Sequence, residues 1–196
     1  MSKGTNCRDA IKQWEQKTGM IAAESKEIKL MCQIPPIEKM DDSLNSLIDC
    51  QKLALSSNQI ERIISLPKLK NLKVLSLGRN NIKKLQGLDE IGKNLEELWI
   101  SYNFIEKLDG LHNCQRLIML FISNNKIKSW DEVAKLAALT EIKSVIMTGN
   151  PIYQDRQTLE VMPMLVRRVP QLEQIDGKMV SAHIRKLAEE MPEEEE

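Results

Sequence analysis

The sequence contains no long hydrophobic run. No segment approaches the roughly 18 consecutive apolar residues that a membrane-spanning helix requires. The first sixteen residues, MSKGTNCRDAIKQWEQ, have no apolar core like that of a signal peptide. We therefore expect a soluble protein of the cytoplasm that has no membrane partner.

The sequence also lacks the motifs of catalysis. It has no glycine-rich phosphate loop, no HExxH and no GxSxG. Its only two histidines, His112 and His183, lie 71 positions apart, and we interpret His112 as a solvated loop residue. Acidic pairs such as Glu96 and Glu97 have no partner for acid/base work. We predict a protein that is not an enzyme and that needs neither a cofactor nor a metal.

Cysteine is sparse, and none of the cysteines forms a motif. The four are Cys7, Cys32, Cys50 and Cys114, without a CxxC pair or a cysteine and histidine cluster. We interpret them as buried thiols in a reducing compartment, in preference to disulfides or metal ligands.

What the sequence does contain is one eleven-residue pattern, LxxLxLxxNxI, in five copies. The copies are Cys50/Leu53/Leu55/Asn58/Ile60, Leu72/Leu75/Leu77/Asn80/Ile82, Leu95/Leu98/Ile100/Asn103/Ile105, Leu117/Leu120/Ile122/Asn125/Ile127 and Ile142/Val145/Met147/Asn150/Ile152. Successive asparagines are 22, 23, 22 and 25 residues apart, within the roughly 20 to 29 residues of a leucine-rich repeat. The pattern predicts an α/β leucine-rich-repeat solenoid with a parallel β-sheet on its concave face and helical or 3₁₀ return arms.

The asparagine of each copy has a predicted structural role. Its short amide carries both donors and an acceptor, so it can bind backbone groups that stacked coils would otherwise leave unpaired. We predict a hydrogen-bonded ladder formed by Asn58, Asn80, Asn103, Asn125 and Asn150.

Both ends of the chain are predicted to form caps. A helix over residues 8–17 precedes a degenerate first coil, in which Ile28 and Leu30 occupy the strand positions and Gln33 the asparagine position. At the other end, Leu172 and Ile175 indicate a half repeat that ends at Asp176 and Gly177. A final amphipathic helix over 180–190 is predicted to place Ile184, Leu187 and Met191 on one side. This helix is interpreted either as a cap or as an arm that touches a partner.

We predict a single leucine-rich-repeat domain over 1–196. In this division, 1–47 forms the N-terminal cap helix and first coil, 48–152 the five regular repeats, 153–191 the C-terminal cap and helix, and 192–196 an acidic tail.

The strand positions that point away from the core are unusually apolar in the later repeats. Strand alternation turns Trp99, Met119, Phe121 and Ile146 outward, with Tyr102 nearby. Monomers rarely expose such a patch, and aromatic residues and methionine are enriched at interface centres. The candidate partner-binding residues are Trp99, Tyr102, Met119, Phe121, Ile146, Val74, Arg79 and Arg185. The alternative is that a terminal helix covers the patch.

Charge is balanced overall but unevenly distributed. The formal net charge is zero, yet removing the six glutamates at 189, 190 and 193–196 leaves 28 basic against 22 acidic residues. A basic body could approach an acidic partner, or its lysines could serve mainly to keep the solenoid soluble. No arginine-rich or RNP-like motif indicates a nucleic-acid partner.

The repeat spacing resembles the SDS22-like subfamily of leucine-rich repeats. Longer strings resemble the light chain 1 family of axonemal outer-arm dynein: IPPIEKMD at 34–41, LSLGRNNIKK at 75–84, LEELWISYN at 95–103, SNNKI at 123–127, LAAL at 136–139 and GNPIY at 149–153. The resemblance covers nearly the whole chain, to about residue 180.

The resemblance implies a non-catalytic subunit of the motor that drives cilia and flagella. It implies a bound dynein heavy chain, contacted at its microtubule-binding stalk tip, with tubulin as a further candidate partner. The hydrophobic contact surface of that family falls here on Trp99, Met119, Phe121 and Ile146. The family's C-terminal helix falls at about 180–190, where Arg185 and Lys186 are the basic residues that could face tubulin.

Two other interaction classes share parts of the pattern. A regulatory subunit of a protein phosphatase would have a longer array and an acidic concave face, whereas Glu97 is the acidic residue among the outward strand positions of the five repeats. A splicing-type repeat protein would be nuclear, and no basic nuclear signal is evident.

Overall fold

A computed structural model describes residues 4–191 of the chain, which form one stack of short coils around a continuous core. Eight strands make one sheet in chain order: β1 Glu27–Lys29, β2 Lys52–Ala54, β3 Val74–Ser76, β4 Glu97–Trp99, β5 Met119–Phe121, β6 Ser144–Ile146, β7 Gln174–Ile175 and β8 Lys178–Met179. Neighbours from β1 to β7 pair in parallel, and β8 returns antiparallel to β7. The predicted leucine-rich-repeat solenoid is confirmed.

Each of the strands β1 to β6 is three residues long. The middle residue points inward, so Leu53, Leu75, Leu98 and Leu120 face one another in register and are at most 1% exposed. The flanking residues point to the opposite face because side chains alternate along a strand. The strands of the five repeats include the first aliphatic residue of each Leu-x-Leu and end one residue before the second, as β2 does before Leu55.

The asparagine ladder forms as predicted, and Asn103 illustrates its geometry. The amide Nδ2 donates to the carbonyl of Ile100 in its own coil at 3.1 Å and to that of Leu77 in the preceding coil at 3.0 Å. Its Oδ1 accepts from the backbone N–H of Ile82 at 2.9 Å. The same pattern recurs at Asn58, Asn80, Asn125 and Asn150. No buried side-chain nitrogen or oxygen among the described residues lacks a hydrogen-bond partner.

The residue before each ladder asparagine has a left-handed backbone. These residues are Ser57, Arg79, Tyr102, Asn124 and Gly149, with φ between 53° and 76°. Glycine is required at the last of them, since a Cβ on Gly149 would lie 2.5 Å from the Asn124 Oδ1. The turn therefore fixes where Arg79 and Tyr102 project, immediately beyond the ends of their strands.

The return arms are short and irregular. Helix α2 spans Asp89–Gly92, where the second coil carries its extra residue, and α3 spans Trp130–Ala134. The 3₁₀ turns span Ala22–Glu24, Asp42–Ser46, Lys135–Ala138 and Pro151–Tyr153. The prediction of helical or 3₁₀ return arms holds for these coils, while residues 61–73 and 106–118 connect their strands through turns.

The N-terminal cap is helix α1, Cys7–Thr18, one residue longer at each end than predicted. Asn6 begins it by accepting a hydrogen bond from the Asp9 N–H, and Ala10 and Ile11 bury its inner side.

The first coil departs from one prediction. Gln33 does not take the asparagine role, because its side chain turns back to donate to the Met31 carbonyl at 3.2 Å. In the first coil, the backbone N–H that donates to the next ladder residue is that of Ile37, which bonds the Asn58 Oδ1 at 3.0 Å. Ile37 therefore stands two residues later than the repeat spacing would place it.

The C-terminal cap contains a helix that the sequence analysis did not predict. This helix, α4, spans Thr158–Arg168. The predicted half repeat is present as β7, and the Asp176–Gly177 turn joins it to the unpredicted strand β8. The carboxylate of Asp176 accepts from the N–H groups of Met147 and Thr148 at 2.7 and 3.0 Å and from the Tyr153 hydroxyl at 2.5 Å. In the regular coils the equivalent N–H, as in Leu77, is bound by a backbone carbonyl of the next coil. Asp176 therefore replaces a bond that a further coil would supply.

The final helix, α5, spans Ala182–Glu190 and packs on α4. Its buried residues are Ile184 and Ala188. Leu187, which the sequence predicts on the same side as Ile184, is 37% exposed, so that side of the helix is only partly covered. The acidic tail at 192–196 lies outside the described residues, and the division of the chain into 1–47, 48–152, 153–191 and 192–196 stays a prediction.

The cysteine prediction is correct for three of four residues. Cys7, Cys50 and Cys114 are buried, but Cys32 is exposed in the turn after β1. Burial raises the pKa of Cys7 and Cys114 to about 12 and that of Cys50 to about 11, so these thiols stay protonated at neutral pH. Within residues 4–191, no helix is long and apolar enough to cross a membrane.

We expect Asn103→Ala to lower the free energy of unfolding by about 2 kcal/mol, because it leaves the buried Ile82 N–H without an acceptor. The Leu77 and Ile100 carbonyls each lose one of two amide donors and keep the other, from Asn80 and Asn125. Urea denaturation followed by circular dichroism measures the change. Asn113→Ala is the control, since its amide bonds Asp89 at the surface, and it should cost less than about 0.5 kcal/mol. An equal loss in the two variants would contradict the ladder's role.

Candidate partner-binding surface

The outward face of the sheet carries an aromatic pair at its centre. Trp99 on β4 and Phe121 on β5 are register partners, and their ring centroids lie 4.9 Å apart at an interplanar angle of 60°. Such tilted pairs gain attraction beyond their contact area. The Trp99 side chain remains 44% exposed and Phe121 is half-buried, so the pair is packed on one side and open on the other.

The Trp99 ring is held by Glu97, an outward residue that was not among the predicted partner-binding residues. Its indole Nε1 donates to the Glu97 Oε2 at 2.9 Å. Glu97 lies two residues earlier on the same strand and therefore on the same face. A fixed indole loses less conformational entropy when a partner covers it.

The apolar surface continues across the next two strands. Phe121 pairs in register with Ile146, and Met119 lies between Glu97 and Ser144. Met119, Phe121 and Ile146 are each half-buried. We call Trp99, Met119, Phe121 and Ile146 the sheet patch; as predicted, they are neighbours on one face.

The sheet patch has a polar boundary toward the N-terminal coils. Ser76 stands in register with Trp99, and its hydroxyl bonds that of Ser56 at 2.7 Å. Val74 is half-buried beside Glu97. Val74 therefore lies next to the patch but belongs to its edge.

Arg79 and Tyr102 form a second exposed unit. The Arg79 guanidinium carbon lies 4.5 Å from the centroid of the Tyr102 ring, a cation–π contact. Tyr102 is 49% exposed. Both residues occupy the left-handed turn position that precedes a ladder asparagine, so they flank the patch at the ends of β3 and β4.

The structure does not bring Arg185 to this surface. Arg185 lies on α5, where its guanidinium donates to the carbonyls of Pro170 and Leu172, both at 2.9 Å. These bonds attach α5 to the last coil. The alternative that a terminal helix covers the patch does not hold for the described residues. Helix α5 packs on α4 instead, and Trp99 and Tyr102 remain exposed to solvent.

One exposed aromatic residue, Phe104, was not predicted from the sequence as a candidate for partner binding. Phe104 follows the ladder residue Asn103 and is 44% exposed, although sister repeats carry Gln59, Asn81 and Lys126 at this position. Comparing the residues after each asparagine would have revealed it.

The sheet patch has the chemistry of recognition and not of catalysis. Its apolar side chains adjoin the Glu97 carboxylate, which accepts a hydrogen bond from the Trp99 indole. Among the described residues, no group of three or more histidine, cysteine or acidic side chains could hold a metal ion.

Comparisons with known proteins give a consistent family. Residues 49–90 and 93–135 match the family described as Leucine Rich repeats (2 copies). The chain is 45% identical to a dynein axonemal light chain 1 of Chlamydomonas reinhardtii over 192 residues, covering 96% of this chain and 97% of that protein. It is 51% identical to a dynein axonemal light chain 1 of Homo sapiens over 182 residues, covering 92% and 95%.

Solved structures support the fold. The crystal structure of the Drosophila melanogaster SNF/U2A' complex includes a similar chain, with a TM-score of 0.67 at 20% identity, covering 78% of this chain and 91% of that one. An internalin C2 from Listeria monocytogenes has a TM-score of 0.55 at 27% identity, covering 68% and 54%.

Replacing Trp99 and Phe121 together with serine should leave the fold intact, because both side chains lie on the outward face. We expect the free energy of unfolding, measured by urea denaturation, to fall by less than about 1.5 kcal/mol. Leu98→Ala, one residue away but fully buried, should cost about 3 kcal/mol. Loss of the circular dichroism signal in the double variant would refute the outward placement.

Proposed function

The chain belongs to the axonemal dynein light chain 1 family, and from this premise we propose that it binds a dynein heavy chain through the sheet patch. The family membership makes it a non-catalytic, dynein-associated leucine-rich-repeat subunit of the ciliary or flagellar axoneme. The heavy-chain contact and its location are our proposal.

The observation that carries the proposal is the exposed Trp99–Phe121 pair. The two rings are in contact with each other and open to solvent on the outward side. A few such anchors commonly supply most of the affinity of an interface. Arg79 and Tyr102 are candidates for its rim, where a stacked guanidinium can bind a carboxylate of the partner.

We further propose the microtubule-binding stalk tip as the heavy-chain segment, in keeping with the family resemblance. A subunit bound there lies close to tubulin. It can change the microtubule affinity of the motor only if its contacts differ between the strongly and weakly bound states. Arg185 is engaged with backbone carbonyls, so Lys186 is the basic residue of α5 that can contact tubulin. The Lys186 Nζ lies 3.6 Å from the Glu190 Oε1.

The rival proposal, a phosphatase regulatory subunit, fits the surface less well. Such a subunit would need acidic residues along the sheet. Among the outward positions of β1 to β6, the acidic residues are Glu27 and Glu97, and these bind Lys29 and Trp99 within the chain.

We expect the Trp99 and Phe121 double-serine variant to bind a purified stalk-tip fragment of an axonemal heavy chain at least about 100-fold more weakly, or about 2.7 kcal/mol, in isothermal titration calorimetry. The matched control replaces Lys29 and Lys52 with serine, at outward positions of β1 and β2, and should bind within about threefold of wild type. Unchanged binding by the aromatic variant would exclude the sheet patch. Binding to a phosphatase catalytic subunit, with none to the heavy chain, would favour the rival.

The regulatory proposal predicts reciprocal affinities. If the chain changes the microtubule affinity of a stalk-tip fragment by a given factor, microtubules must change the affinity of that fragment for the chain by the same factor, typically about 5- to 150-fold. Microtubule co-sedimentation and titration of the labelled chain measure the two factors. Equal affinities in the presence and absence of microtubules would leave a passive subunit and refute the regulatory role.

A further inference from the structure

A groove crosses several coils on the side of the chain that follows the ladder asparagines. One cavity in it, of about 700 Å³ and called the large cavity, is lined by Lys83, Lys84, Leu85, Gln86, Phe104, Glu106, Lys107, Asp109 and Lys126. A neighbouring cavity of about 380 Å³ shares Lys83, Lys84 and Gln86 with it and extends to Glu61 and Arg62. The two cavities therefore form one groove along the stacking direction, which we call the lysine groove. Along each coil, the residues of the sheet patch precede the ladder asparagine in sequence, and the residues of the lysine groove follow it.

The lysines of the large cavity form no ion pairs within residues 4–191. None of Lys83, Lys84, Lys107 and Lys126 forms an ion pair with another described residue, whereas lysines elsewhere, such as Lys73 and Lys143, do. Like charges held together without counterions favour the binding of an anionic group.

The acidic residues of the cavity offset this charge only partly. Asp109 is bonded by Lys135 at 2.6 Å. That hydrogen bond, with Lys107 nearby, holds the pKa of the Asp109 carboxyl below its usual value. Glu106 is then the one acidic lining residue of the large cavity without an ion pair among the described residues, against four lysines.

The groove also has an apolar wall. Phe104 is 44% exposed. Its backbone N–H donates to the Ile82 carbonyl of the preceding coil at 2.8 Å, and this hydrogen bond fixes the position of the Phe104 backbone. Leu85 lines the same cavity. The ring and the aliphatic stems of the lysines can cover an apolar side chain while the ammonium groups face solvent or an anion.

We propose that the lysine groove binds an extended, glutamate-rich segment of a partner protein, with one apolar side chain against Phe104. Carboxylates on a flexible chain match the point charges of lysine, whereas a phosphate backbone is bound more often by arginine forks. The large cavity has no arginine, and Arg62 lines the neighbouring cavity of the groove. Lys84 and Lys107 occupy equivalent positions of successive coils, each four residues after its asparagine. A chain laid along the groove would therefore meet a repeated positive charge.

The test is a binding titration with the full-length chain and a fluorescein-labelled peptide. The probe is about eight residues long, or roughly 26 Å when extended, and consists of glutamates with one central leucine. The groove variant combines Lys84→Glu with Lys107→Glu. The control combines Lys12→Glu with Lys17→Glu, which makes the same charge change on exposed positions of α1.

At physiological salt, we expect fluorescence anisotropy to show binding by wild type, about tenfold weaker binding by the groove variant and less than about twofold weakening in the control. Phe104→Ser should weaken binding of the leucine-containing peptide more than that of an all-glutamate peptide. Absence of binding by wild type, or equal weakening in groove and control variants, would overturn the proposal.

Two further arms identify another occupant. Tighter peptide binding by a chain that lacks residues 192–196 would assign the groove to the protein's own acidic tail and overturn the assignment to a partner. Preference for single-stranded DNA of equal charge would overturn the choice of a peptide. Heavy-chain binding by the groove variant should match wild type, so this inference and the proposed function can fail separately.

Discussion

The asparagine ladder is the constraint on which the rest of the molecule depends. Strands of three residues cannot satisfy the backbone of a whole coil, and each coil has to turn sharply after its strand. At every regular turn one buried amide binds carbonyls of two coils and an N–H of the earlier coil, as Asn103 does. Because an unpaired buried backbone group costs about 1 to 3 kcal/mol, the ladder determines both the turn and the coil-to-coil register.

That register leaves two surfaces free to vary. The inward residues and the asparagines are determined by the stack, but the outward strand residues and those just after each asparagine are not. The sheet patch uses the first set and the lysine groove the second. Their residues stand side by side because successive coils repeat the same geometry, as the register pairs Trp99–Phe121 and Phe121–Ile146 show. A partner that spans two or three coils therefore reads a short, ordered row of side chains.

The regular part of the fold could be predicted because its constraint recurs in the sequence. Five copies of one pattern predict the strands, the ladder and the outward placement of Trp99 and Phe121. The caps occur once each, so their packing depends on contacts that no period reveals. Helix α4, the exposed Leu187 and the bonds of Arg185 to backbone carbonyls are examples. The prediction that Gln33 takes the asparagine position was wrong for a related reason. The first coil contains two extra residues before Ile37, whose N–H makes the ladder hydrogen bond.

The same ladder limits how such a subunit can regulate a motor. The described coils share one continuous core, and the backbone of each is bonded to the next. A stack of this kind has no evident hinge between the patch-bearing strands, so we infer that it acts on a bound heavy chain as a rigid body. A rigid ligand shifts an equilibrium only by its different affinity for the two states of its partner. Regulation would then depend on how the heavy chain changes its fit against Trp99 and Phe121, and on any contact that α5 or the lysine groove makes in one state and not in the other.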